Sequence, residues 1–147
     1  MVRVCRKRGR DRMANNEIVY MKIIFIGETE FGAIILEGLI KTGQKPVLVF
    51  TTPGRLMPVK KISQREGIPV FQPEEIENAI SEIKNKKPDI ILVAGYGKTF
   101  PQEILDIPEY GCLKVHPSLL PKYRGNFPIQ SAMLNGDKET GITIILM

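Results

Sequence analysis

Apolar residues fall in short blocks separated by polar, Gly- or Pro-bearing stretches, and the period of the blocks alternates along the chain. Met21-Lys-Ile-Ile-Phe-Ile26 is a nearly continuous apolar run ending at Gly27, which predicts a strand buried on both faces. Phe31, Ile35 and Leu39, with Leu36 and Ile40, then recur at helical spacing until Gly43, a natural helix stop. Pro46 to Phe50 predicts a second strand, Val59 to Glu66 a short helix stopped by Gly67, and Ile68 to Phe71 a brief strand that Pro69 assigns to an edge. Ile76, Ala79, Ile80 and Ile83 mark the next helix. Its acidic start at Glu74 and Glu75 and its basic end at Lys84, Lys86 and Lys87 suit the helix dipole. Asp89 to Ala94 is a continuous apolar strand, Ile104 and Leu105 belong to a short helix, and Cys112 to His116 is a strand. Asn126 is the expected cap of a last helix with Pro128 inside its start and Gly136 past its end, and Thr140 to Met147 is a final strand.

Strands alternating with helices predict an α/β fold: a mostly parallel, Rossmann-like sheet with helices on both faces and right-handed crossovers. In such a sheet the site lies beyond the carboxyl ends of the strands. That places Gly27 to Glu30, Thr51 to Arg55, Gly95 to Phe100 and His116 to Gly125 along one rim.

Composition narrows the class. At 147 residues, 43% hydrophobic and 25% charged, the chain suits one globular domain and excludes a disordered or collagen-like polymer. Cys5 and Cys112 lie far apart, so neither a disulfide framework nor a Cys-based zinc site is expected, and a reducing, cytoplasmic setting fits. A single histidine excludes a His-rich metal site, and no apolar run approaches the roughly 20 residues of a membrane span. Net charge is +5, but it is unevenly placed. Residues 1–20 carry Arg3, Arg6, Lys7, Arg8, Arg10 and Arg12 against Asp11 and Glu17, which leaves the body nearly neutral. This arm lacks apolar periodicity and is expected to be disordered. It has no apolar core region and no serine, so it matches neither a secretory signal nor a transit peptide. The favoured reading is an upstream extension with the fold starting at Met21; the other is a basic arm touching RNA or an anionic surface by charge alone.

Two motifs fail on chemistry. Gly27-Glu-Thr-Glu-Phe-Gly32 sits where a dinucleotide fingerprint would, but it lacks the second glycine, and Glu28 and Glu30 would repel a pyrophosphate. Gly97-Lys98-Thr99 ends like a phosphate-binding loop, yet the glycine required five positions earlier is Leu92.

The informative segment is Lys114-Val-His-Pro-Ser-Leu-Leu-Pro-Lys-Tyr-Arg-Gly125. It places the lone histidine at a strand end, with Cys112, Lys114 and His116 on one face, and follows it with a long Pro-Gly loop. With Pro128-Ile-Gln130, Asn135 to Ile144, Gly67 to Pro73 and Gly95 to Pro108, this segment resembles the formyltransferase family that uses 10-formyltetrahydrofolate, within it the branch acting on methionyl-initiator tRNA. The likeness covers Met21 to Met147. It implies transfer of a formyl group from the folate nitrogen to the amine of methionine carried by the tRNA, with no metal. It implies that His116 polarises the formyl oxygen or relays protons, with Lys114 at the position of the family's catalytic Asn. Tyr96, Gly97, Lys98, Thr99 and Phe100 match the loop lining the folate pocket; Ser118, Leu119, Leu120, Pro121 and Arg124 match the loop shaping the cleft for the acceptor.

Departures bear on that expectation. Lys114 replaces an amide by a longer, charged donor, Glu28-Thr29 replaces the usual Thr-Pro, and the Pro53 to Pro58 loop is shorter than the basic loop of the tRNA branch. The family's catalytic Asp and its C-terminal tRNA-binding domain fall beyond the point matching Met147. The resemblance therefore implies a truncated catalytic domain, residues 21–147, after a basic extension, residues 1–20, with negligible transfer by the chain as given. A non-catalytic folate-binding remnant, or a formyltransferase for a small amine such as a nucleotide sugar or glycinamide ribonucleotide, are the alternatives.

Overall fold

The computed structural model describes residues 21–54 and 57–147. The expected extension, residues 1–20, and Arg55 and Leu56 of the second rim loop lie outside the described residues. In chain order the elements are β1 (Ile23–Gly27), α1 (Glu30–Lys41), β2 (Leu48–Phe50), α2 (Pro58–Arg65), β3 (Val70–Phe71), a 3-10 turn (Ile76–Ala79), α3 (Ile80–Lys86), β4 (Ile90–Ala94), α4 (Gln102–Leu105), β5 (Cys112–His116), α5 (Pro128–Leu134) and β6 (Thr143–Leu146). The strands form one sheet in the order β3-β2-β1-β4-β5-β6. β1 to β5 are parallel, and β6 runs antiparallel to β5, with Lys114 opposite Ile145 and His116 opposite Thr143. The chain winds outward from β1 to β3 and then returns to β4 on the other side of β1. The gap between the ends of β1 and β4 is therefore the switch point where α/β sheets hold ligands.

The continuous apolar runs form the centre because both their faces are covered. Every residue of β1 is buried. On one face Ile24, Ile26, Leu48, Phe50, Ile91, Val93 and Cys112 pack with Ile83 of α3 and Ile104 of α4. On the other, Phe25, Val49, Ala94 and Val115 pack with Ala33 and Leu36 of α1 and Val59 and Ile62 of α2. Burying one such large side chain contributes about 1.5–3 kcal/mol.

The structure sharpens one expectation and corrects three. The buried stripe of α1 is Gly32, Ala33 and Leu36, while Phe31, Ile35, Leu39 and Ile40 are only half-buried. The small residues face inward because α1 sits very close to the sheet: a Cβ on Gly32 would lie 2.6 Å from the Ala94 carbonyl oxygen. The expected helix from Glu74 begins instead as a 3-10 turn and becomes α-helical at Ile80. Asn126 does not cap α5; the cap position is Phe127, which makes no side-chain capping bond. The final strand is also shorter than Thr140 to Met147, starting at Thr143.

Candidate active site at the carboxyl ends of the strands

The rim is closed at the switch point by one carboxylate. The backbone N–H groups of Glu28 and Thr29 donate to the Gly95 carbonyl at 3.3 and 3.4 Å, holding the ends of β1 and β4 together. Gly95 adopts φ +62°, and a Cβ there would run into Thr29 Oγ1, so this approach requires glycine. The Glu28 carboxylate accepts the Gly97 N–H at 3.3 Å on Oε1 and the Thr52 hydroxyl at 2.8 Å on Oε2. Gln72 Nε2 then donates to the Thr52 carbonyl at 2.8 Å. Loops following β1, β2, β3 and β4 are thereby tied into one bracket. Beside it, the Thr51 hydroxyl is buried and has no hydrogen-bond partner among the described residues.

The loop expected to line a folate pocket divides in two. Tyr96 is buried in the core and stacks at a tilt on Phe100, ring centres 5.3 Å apart. Burial first, then the charges of Glu28, Glu75 and Glu77, push the Tyr96 phenol up to about 12. It is therefore a neutral group at physiological pH and does not serve as a base. Gly97, Lys98 and Thr99 are exposed on the rim. Lys98 Nζ is tied to the Glu74 carbonyl at 2.8 Å and to Glu75 at 3.2 Å.

β5 delivers the histidine. Alternation along the strand sends Cys112 into the core beneath α4, where burial pushes its thiol up to about 11 and makes it inert at neutral pH. Lys114 is half-buried on the same face, and among the described residues its ammonium has no hydrogen-bond partner. His116, at the strand end, is 6% exposed. Its Nε2 lies 3.2 Å from the Tyr123 carbonyl oxygen.

The loop after β5 is braced from within. Ser118 is buried; its N–H donates to the His116 carbonyl at 2.9 Å and its hydroxyl to the Lys122 carbonyl at 2.7 Å. Thr143 of β6 donates its hydroxyl to the Ser118 carbonyl at 2.7 Å and accepts the Leu120 N–H at 3.1 Å. Tyr123 has φ +54°, and its phenol donates to Asp137 Oδ2 at 2.7 Å. Lys122 Nζ bonds the same oxygen at 2.8 Å. These bonds, Lys122 first and Tyr123 second, hold the Asp137 carboxyl below its usual range and raise Lys122 above its own.

The structure thus puts Lys114 and His116 on β5 and links Ser118 and Leu120 through Thr143. It uses the Ser118 hydroxyl as a brace, while Leu119, Pro121 and Arg124 are left exposed at the loop surface. Glu28, Thr52, Gln72, Tyr123, Asp137 and Thr143 escaped sequence reasoning as functional positions. Their only signals were of place: Glu28 and Thr52 on the expected rim, and Gln72, Tyr123, Asp137 and Thr143 in stretches that carry the resemblance. Among the described residues no cluster of three His, Cys, Asp or Glu side chains is placed to hold a metal, and no helix is long and apolar enough to cross a membrane. An open depression of about 660 Å³ lies at the opposite ends of the strands, among Lys84, Lys87, Asp89, Glu103, Asp106 and Glu109. It is a solvated, charged surface, far from the rim chemistry.

A mostly parallel sheet with a switch-point crevice and a histidine at a strand end defines an α/β domain of the ligand-at-the-crevice type. The family model described as formyl transferase matches residues 21–147, and the chain belongs to that family. It is 47% identical over 139 residues to a methionyl-tRNA formyltransferase of Caldanaerobacter subterraneus, covering 86% of this chain and 45% of that protein. It is 44% identical over 138 residues to one of Thermotoga maritima, covering 86% and 44%. The chain thus spans less than half the length of these curated relatives. Among solved structures it is similar to glycinamide ribonucleotide transformylase 1 of Geobacillus kaustophilus, with TM-score 0.66, 29% identity, and 84% and 73% of the two chains covered. The fold is shared with phosphoribosylglycinamide formyltransferase of Streptococcus pneumoniae at TM-score 0.72, 20% identity, and 86% and 73% coverage.

Proposed function

We propose that residues 21–147 carry the formyl-transfer centre of a methionyl-tRNA formyltransferase, with residues 1–20 as an extension outside it. The donor is 10-formyltetrahydrofolate and the acceptor is the α-amine of methionine esterified to initiator tRNA, which sets the reaction in the cytoplasm. The observation carrying this reading is His116: the chain's one histidine, at the carboxyl end of β5, with Nε2 on a loop carbonyl, inside the segment shared with the family.

The chemistry follows from the residues. The amine nitrogen attacks the formyl carbon, and negative charge gathers on the formyl oxygen. The Lys114 ammonium is the donor on that face of β5, and His116 two positions on is the base. A donor aimed at the developing charge is worth about 10²–10³ in rate. The amine loses one proton, the bond from the formyl carbon to the folate nitrogen breaks, and that nitrogen takes up a proton. His116 is the group placed to receive and return it. The rim suits a folate donor. Tyr96 and Phe100 form a rigid aromatic floor, the exposed Gly97 to Thr99 backbone supplies polar groups beside it, and the fixed carboxylate of Glu28 disfavours an anion at the switch point.

The small-amine reading draws on the solved neighbours, but 40–47% identity to the tRNA enzymes outweighs 29% to a glycinamide ribonucleotide transformylase. The test is formylation of methionyl-tRNA by a protein of the relatives' full length. His116→Ala should lower the rate by about 10²–10⁴. Formylation of glycinamide ribonucleotide in preference to methionyl-tRNA would overturn the acceptor, and an unchanged rate in His116→Ala would overturn the site. Lys114→Asn separates the donor roles: a gain in rate marks Lys114 as a poor substitute for the amide.

A further inference from the structure

We propose that Tyr123 and Asp137 are positioning residues that hold His116 with its proton on Nε2, leaving Nδ1 as its basic nitrogen. The catalytic meaning of this lock rests on the formyl-transfer reading above; the lock itself rests on geometry.

A backbone carbonyl can only accept a hydrogen bond, so the contact between Nε2 and the Tyr123 carbonyl, 3.2 Å, requires the proton on Nε2. Among the described residues Nδ1 has no hydrogen-bond partner, so in the neutral ring its lone pair is free. Which nitrogen is basic therefore depends on where one loop carbonyl is held.

That carbonyl belongs to a residue in an unfavourable conformation. Tyr123 sits at φ +54°, in the left-handed region that non-glycine residues occupy only when their surroundings over-determine it. Both ends of Tyr123 are fastened: the carbonyl to His116, and the phenol to Asp137 at 2.7 Å. Asp137 is itself fixed, because it closes α5. The Gly136 N–H donates to the Met133 carbonyl and the Asp137 N–H to the Ala132 carbonyl, both at 3.0 Å, with Gly136 at φ +67°. This is the Schellman termination, in which the two residues after the helix cap are locked onto its last turn. A rigid path thus runs from the end of α5 through Asp137 and Tyr123 to the imidazole. Lys122 bonds the same Asp137 oxygen, but its side chain does not hold the Tyr123 carbonyl.

The chain's single histidine makes the test direct, since every imidazole ¹⁵N resonance belongs to His116. In the 147-residue chain at neutral pH, ¹⁵N–¹H spectra should show the proton on Nε2 and a bare Nδ1, with slow exchange of the Nε2–H. Tyr123→Phe removes only the phenol oxygen, and Asp137→Ala removes its anchor. Each should speed Nε2–H exchange by about tenfold, the weight of one hydrogen bond. Asp137→Asn keeps an acceptor and should restore slow exchange, and Lys122→Ala should leave it unchanged. A wild-type proton on Nδ1, or equal exchange in wild type and Tyr123→Phe, would overturn the lock even if Asp137→Ala fails to fold. In the full-length protein Tyr123→Phe should shift the pH profile of kcat while KM for the folate stays constant. A lock seen by NMR with no formyl transfer would sink the functional reading alone. Formyl transfer that needs His116 but ignores Tyr123→Phe in both readouts would sink the lock alone.

Discussion

β4 and β6 are written in nearly the same letters, Ile-Ile-Leu-Val-Ala and Thr-Ile-Ile-Leu, yet they live in different surroundings. β4 lies between β1 and β5, with helices over both faces, and Ile91 and Val93 are buried. β6 is the sheet edge, where Ile144 is 57% and Leu146 66% exposed. On α5, Met133 and Leu134 are also exposed. The difference teaches that apolar content sets what a strand can bury, while its neighbours set what it does bury. The candidate site spans both regimes: β1 and β4 supply a stiff crevice, and β5, β6 and the loop after β5 supply the histidine and its supports.

The sharpest way to break this contrast is a matched pair of truncations. Ile91→Ala should destabilise the chain by about 2–5 kcal/mol, as buried Ile truncations do. Ile144→Ala should cost about 0.5 kcal/mol or less, as surface changes do. Urea denaturation reads both, and equal losses would mean that β6 is covered in solution. Next in size is Gly95→Ala at the switch point, expected to cost about 1–3 kcal/mol because φ +62° and the crowding against Thr29 leave no room for a Cβ. A thermal melt indistinguishable from wild type would show that the crevice yields rather than holds.

The Glu28 bracket should respond more mildly. Glu28→Ala is expected to cost about 1 kcal/mol and to speed exchange of the Gly97 amide about tenfold. Glu28→Gln should restore slow exchange, since an amide oxygen still accepts both bonds. Equal protection of Gly97 in all three proteins would remove the bracket from the description. The smallest effect has the opposite sign. Thr51→Val replaces a buried hydroxyl that has no partner among the described residues by a methyl and should stabilise by about 1 kcal/mol. A loss of stability there would reveal a partner for that hydroxyl, water or ligand.

Much of this molecule was legible in its order of residues. Continuous apolar runs marked β1 and β4 as doubly covered, Gly43, Gly67 and Gly136 marked helix ends, and the resemblance around His116 pointed to the family that the domain match establishes. Those features are local: periodicity and turn chemistry act over a few residues, and a specific motif carries its own context. Periodicity marked α1 as a helix but did not say which residues lie innermost. The close approach of the helix to the Ala94 carbonyl puts Gly32 and Ala33 there, beside Leu36.

What only the tertiary structure decided is long in range. The antiparallel direction of β6 depends on its pairing with β5, not on its composition. Glu28 looked like a residue that merely repels phosphate. It becomes a bracket because partners 24 and 69 positions away converge on its carboxylate. Ser118 matched a substrate-facing loop, yet its hydroxyl is used within that loop. His116 meets a carbonyl seven residues on, whose residue is tied to a carboxylate at the end of a helix. A sequence records which groups can donate or accept; which partner each one meets is settled only when distant segments are brought within about 3 Å of one another.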